Sequence, residues 1–96
     1  VISPEGAAAL LWKDSSLAQR AAESMQITSY DLKKLGVIDS IIPEPLGGAH
    51  RNMKKQAENV KMTIESSLAE LTALSSEELL ERRWEKYKKI GEFREL

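Results

Sequence analysis

The doublet His50-Arg51, delivered directly after Gly47-Gly48, is the densest grouping of chemically capable residues in this 96-residue chain. A glycine turn running into a helix start presents backbone N–H groups that can hold an anion or a developing oxyanion. An arginine beside them adds a planar, forked donor. The same residues admit a plainer reading, in which the glycines let the chain reverse sharply after Pro45, His50 packs or caps, and Arg51 is solvated. A second grouping, Ser3-Pro4-Glu5-Gly6, sets a hydroxyl and a carboxylate at a helix N-terminus. Glu5 there can serve as a base or orient a substrate amide, or it can simply meet the positive end of the helix dipole. Nothing in the sequence brings His50 to Ser3, so a serine–histidine pair is not implied.

Composition removes several other chemistries. There is no cysteine, which excludes a disulfide framework, a thiolate metal site and a cysteine nucleophile. One histidine is a poor basis for zinc, which prefers nitrogen and sulfur ligands, so no metal is expected. The net charge of −1 gives no bulk field for nucleic acid or an anionic membrane, and neither is expected as a partner. Lys54-Lys55 and the series Arg82, Arg83, Lys86, Lys88 and Lys89 are basic, but Glu77, Glu78, Glu81, Glu85 and Glu92 interleave with the second group. Helical pairs such as Glu78–Arg82 and Glu85–Lys89 then make a solvated, salt-bridged face. No apolar run approaches the roughly 20 residues of a membrane span, and the N-terminus lacks a signal-peptide pattern. The expectation is a soluble, intracellular protein.

These groups must be positioned by the elements around them. Ser3 as N-cap and Pro4 at the first helical position start a helix, and Val1-Ile2 before them reads as the end of a strand. The run Ala7 to Trp12 is apolar on nearly every side, which predicts a helix buried all round. Lys13-Asp14-Ser15-Ser16 breaks it and caps a second helix over about 16–25, with a stripe of Leu17, Ala18, Ala21, Ala22 and Met25. Thr28 and Asp31 cap a short third helix, and Gly36 occupies the left-handed position after it. Val37 to Ile42 predicts a short strand, followed by the Pro43–Gly48 turn. Met53, Ala57, Val60, Ile64, Leu68 and Leu71 form one stripe of a long helix. Ser75 and Glu78 fit a capping box, with Leu74 and Leu79 as a hydrophobic staple. The final helix, about 76–90, is expected to bury Leu79, Leu80, Trp84, Tyr87 and Ile90, with Gly91 ending it. A strand at 37–42 whose only partner is the stub at Val1-Ile2 points to a piece of a larger sheet protein.

The segments Val1–Asp14 and Leu35–Asn52, the alanine-rich helix between them and the Leu74–Arg83 region resemble the C-terminal part of the α-subunit family of bacterial-type acetyl-CoA carboxylase carboxyltransferases, in the same order and over essentially the whole chain. The resemblance implies an α/β fold class: a C-terminal fragment of a crotonase-like (ββα)n fold, mostly α-helices here with one or two short strands. Residues 1–51 would end the crotonase-like core and 52–96 would form C-terminal helices. It implies transfer of a carboxyl group from carboxybiotin to acetyl-CoA, with biotin held covalently on a separate biotin carboxyl carrier protein and no cofactor bound by this chain itself. The implied partners are a carboxyltransferase β subunit in an α2β2 assembly, the carrier protein and acetyl-CoA, in the cytoplasm or, for a plant source, the plastid stroma. The family's oxyanion glycines are expected upstream, so no catalytic residue is expected here. Ser3, Glu5 and Gly6, and more weakly His50 and Arg51, are the substrate-binding candidates. The reading from another class is a non-catalytic helical interaction module using the Met53–Leu71 stripe.

Overall fold

A computed structural model describes residues 1–91 of the chain. It divides into two compact units, Val1–Asp39 and Ser40 onward.

The first unit is built on capping chemistry that the local sequence dictates. Ser3 is the N-cap of α1 (Pro4–Trp12): its Oγ accepts a hydrogen bond from Gly6 N at 3.1 Å, and Pro4 occupies the first turn. The helix stops at Lys13, which turns left-handed (φ 57°) and donates its N–H to Ala9 O at 2.9 Å. Asp14 then caps a single 3₁₀ turn, Ser15–Leu17, that feeds α2 (Ala18–Met25). Ala7, Ala8 and Ala21 form the buried contact between α1 and α2, edged by Trp12, Leu17 and Met25. Small side chains permit this close approach, and the Arg20 guanidinium lies 4.2 Å from the Trp12 ring centroid, closing one edge.

The opposite side of α1 departs from expectation. Leu10 and Leu11 are 76% and 68% exposed, so the helix is not buried all round. In this chain α2 covers one face only, and the apolar outer face is left open.

α3 (Ser29–Lys34) begins at Thr28, whose Oγ1 accepts from Asp31 N at 3.3 Å and donates to the Asp31 carboxylate at 2.8 Å. Its C-terminus corrects the strand expected over 37–42. Gly36, at φ +74°, donates to Lys33 O, and Val37 donates to Leu32 O at 2.9 Å. This is the Schellman arrangement, in which the residues after a helix satisfy its last carbonyls. Ile38 N–H also points at Leu32 O, at 3.5 Å. The N–H groups of Val37 and Ile38 are therefore directed to the helix end, and Lys33 Nζ fastens the segment further by donating to Asp39 O. Among the described residues there is no strand, either here or at Val1-Ile2; the mostly helical part of the expectation holds and its one or two short strands do not appear.

In the second unit the segment from Ser40 runs without regular structure into a tight turn. Gly48 N donates to Pro45 O at 2.9 Å, and Gly47 sits at φ +88° in the third position of that turn. A 3₁₀ turn, Ala49–Arg51, leads to Asn52, whose Oδ1 caps α4 (Met53–Thr72) by accepting from Lys55 N at 3.1 Å. The covered face of α4 is Gln56, Asn59, Val60 and Thr63, all half-buried; Met53, Ile64, Leu68 and Leu71 of the anticipated stripe are exposed. α5 (Ser76–Lys88) opens with both halves of the capping box, Glu78 N to Ser75 Oγ at 3.2 Å and Ser75 N to Glu78 Oε2 at 3.3 Å.

Two expectations for α5 fail. Leu79 is half-buried, but Leu80, Trp84, Tyr87 and Ile90 are exposed, Trp84 at 67%. The pairs Glu78–Arg82 and Glu85–Lys89 are not formed. The Glu78 carboxylate is taken by the cap, and Arg82 Nη1 reaches Glu70 Oε1 on α4 at 3.3 Å instead. Glu92 lies outside the described residues.

Candidate functional site

The candidate residues fall in different units, and each group has its own setting. Ser3 spends its hydroxyl on the α1 cap, accepting from Gly6 N, while its carbonyl accepts from Ala7 N at 2.8 Å. Glu5 is an exposed acidic residue in the first turn, where a carboxylate opposes the partial positive charge of the helix N-terminus. Gly6 has a steric reason to be glycine: a Cβ there would stand 2.9 Å from Ile2 Cγ1. In this group the capping role is the one with visible geometry.

The Gly47–Arg51 group is more specific. Both glycines adopt positive φ, +88° and +101°, which disfavours any other residue. The space their missing side chains leave is used. A Cβ on Gly47 would lie 3.0 Å from Arg51 Cγ, and one on Gly48 would lie 3.1 Å from His50 Cε1 and Nδ1. The Arg51 stem therefore packs over Gly47 and the imidazole edge over Gly48. Arg51 N–H closes the 3₁₀ turn on Gly48 O at 3.1 Å. The two functional side chains are thus folded back on the turn that presents them, beside the N-terminus of α4. Arg51 and His50 are both exposed, while the Arg51 stem and the Cε1–Nδ1 edge of His50 lie against the turn. That arrangement suits a donor to an anionic or carbonyl group approaching from solution.

Asn59 was missed at the sequence level. Its Nδ2 donates to Pro43 O at 2.9 Å across 16 residues, tying the approach to the turn down onto α4. The only local hint is that Asn52, Gln56, Asn59 and Thr63 share one polar helical face. Among the described residues, no group of three or more His, Asp or Glu could hold a metal ion, and no helix is long and apolar enough to cross a membrane.

The comparisons with known proteins bear on the whole stretch. The chain is similar to the "Acetyl-coenzyme A carboxylase carboxyl transferase subunit alpha" of Halalkalibacterium halodurans, with 67% identity over 93 residues, which is 97% of this chain and 29% of the relative. The protein of the same name from Oceanobacillus iheyensis is 62% identical over 93 residues, again 97% and 29%. That of Geobacillus kaustophilus is 62% identical over 92 residues, 96% and 28%. The chain thus spans less than a third of the length of the curated relatives it matches. The family described as "Acetyl co-enzyme A carboxylase carboxyltransferase-like" matches residues 1–91, and with identity of this level running through both units, the chain belongs to that family.

Proposed function

We propose that this chain is the C-terminal part of a carboxyltransferase α subunit, which works within acetyl-CoA carboxylase to move a carboxyl group from carboxybiotin to acetyl-CoA, forming malonyl-CoA for fatty-acid synthesis. The observation that carries the proposal is the family match over residues 1–91, joined to 67% identity with one α subunit across 97% of the chain. The parent subunit pairs with a β subunit as α2β2 and receives biotin as substrate, covalently held on the carrier protein. This chain holds no resident cofactor. The parent's core is crotonase-like, residues 1–51 end that core, 52–96 supply C-terminal helices, and the assembly works in the cytoplasm.

Stabilising the enolate of acetyl-CoA, and the charge that develops on biotin's ureido oxygen as its nitrogen gives up the carboxyl group, needs preorganised backbone donors. We assign those donors upstream of Val1, with no catalytic residue in this chain. Gly47-Gly48 serves as a turn, and its φ values and its packing under Arg51 and His50 support that role. Ser3, Glu5 and Gly6 in the first unit and, as a separate group, His50 and Arg51 in the second are substrate-wall residues of the subunit, with Arg51 suited to donate to the ureido carbonyl of biotin.

The test is reconstitution. The full-length subunit with its β partner is expected to form malonyl-CoA from acetyl-CoA and carboxylated carrier, and the 96-residue chain in place of the subunit is expected to give none. Turnover supported by the chain alone overturns the assignment of the donors upstream. A full-length complex that folds and assembles yet transfers no carboxyl group overturns the function itself.

A further inference from the structure

The Pro43–Arg51 loop is held by more than its own turn, and the extra hold comes from α4. Asn59 lies two helical turns into α4, on the same face as the N-cap Asn52, and is half-buried. Its amide donates to Pro43 O at 2.9 Å. From Pro43 the chain has few ways to continue. Pro45 fixes one φ, Pro45 O is bonded to Gly48 N, and Gly48 O is bonded to Arg51 N. Gly47 and Gly48 then sit directly beneath the Arg51 stem and the His50 ring. The path from the Asn59 amide to the direction of these two side chains runs through the covalent Pro43–Pro45 backbone, then two turn hydrogen bonds and the packing over the glycines. At its far end, Asn52 Oδ1 ties the loop's exit to Lys55 N. The loop is thereby pinned at entry and exit to one helix.

We propose that Asn59 is a positioning residue, which aims His50 and Arg51 by fixing the Pro43 carbonyl. The proposal rests on the reading of those two side chains as part of the substrate wall. Asn59 is itself not in contact with substrate. Its Nδ2 is engaged by Pro43 O, and its backbone carbonyl accepts from Thr63 Oγ1 at 3.2 Å.

The experiment uses the full-length subunit assembled with its β partner, assayed for carboxyl transfer from malonyl-CoA to free biotin. Two variants remove the donor differently: Asn59→Asp keeps the size but turns an acceptor toward a carbonyl, and Asn59→Ala removes the contact without adding charge. Both are expected to raise KM for biotin roughly five- to tenfold, the scale of one net hydrogen bond. KM for malonyl-CoA and kcat are expected to stay within about twofold, inside the spread that independent sites show. Arg51→Ala is expected to raise the same KM, and the Asn59→Ala/Arg51→Ala double variant to be no worse than Arg51→Ala alone. Additive effects overturn the proposal, since Asn59 would then act by a route of its own. So does an unchanged KM in Asn59→Ala when Arg51→Ala or His50→Ala raises it; in that case the substrate wall stands and the clamp does not. If neither Arg51→Ala nor His50→Ala changes any kinetic constant, the wall itself is refuted and the positioning role falls with it. Should Asn59→Asp fail to fold, Asn59→Ala decides alone.

Discussion

At the scale of single residues, much of this chain's chemistry is directed at ending and starting helices. Asp14 illustrates how far one short side chain can be committed. Its Oδ1 accepts from Ser16 Oγ at 2.6 Å and from Ser16 N at 2.9 Å. The hydroxyl bond first, and the backbone bond second, hold its carboxyl below the ordinary 3.8. A carboxylate whose folded pKa is depressed stabilises the fold fully above the unfolded value. That contribution fades as the pH falls from about 3.8 through the lower folded value. Ser16→Ala removes the larger cause and keeps the backbone bond. The Asp14 carboxyl, followed by NMR titration, is then expected to move up toward 3.8, and acid unfolding to depend less on this residue. A titration that does not move in Ser16→Ala would show that the hydroxyl is not the cause. By the same reasoning Ser3, whose hydroxyl is engaged by Gly6 N, is better prepared to cap than to attack.

At the scale of elements, what the sequence makes legible is whatever is settled within a turn or so. Ser3, Thr28 and Ser75 cap where expected, and Gly36 adopts the left-handed conformation after α3. The 4–3 spacing of apolar residues locates α4 correctly. The strand over 37–42 is illegible for a definite reason. β-branched residues favour a pleated surface, but the N–H of Val37 is already bonded to Leu32 O, and a helix end outcompetes a ladder with no partner strand. The Asn59–Pro43 clamp is illegible too, because 16 residues separate its ends and the polar face that Asn59 shares on α4 does not name its partner. The capping box of α5 gives the sharpest test at this scale. Ser75→Ala removes the acceptor for Glu78 N and is expected to cost about 1 kcal/mol, seen as faster hydrogen exchange at the first amides of α5. Glu78→Ala should cost less, since it leaves the Ser75 bond in place. Equal protection in wild type and Ser75→Ala would mean that α5 is held by its packing, not by its cap.

At the scale of the whole molecule the apolar surface is distributed unlike that of a self-sufficient domain. Among the described residues the buried ones are three alanines, Ala7, Ala8 and Ala21, and no large side chain is completely enclosed. Alanine burial contributes little area, whereas burying one leucine contributes about 1.5–3 kcal/mol. The leucines that could supply it, Leu10 and Leu11 on α1, face outward. With relatives more than three times as long in the same family, we infer that the missing cover for α1 comes from the rest of the subunit. The consequence is a context-dependent mutation. In the 96-residue chain, Leu11→Ser changes a solvated side chain and is expected to shift stability by no more than about 0.5 kcal/mol. In the full-length subunit the same change is expected to cost about 2–5 kcal/mol, the range for truncating a buried leucine. Paired denaturant titrations of chain and subunit, each with and without Leu11→Ser, measure the difference directly. If the cost is equally small in both, the outer face of α1 stays open in the subunit. The alanine contact would then have to hold α1 by itself, with its apolar face left in water.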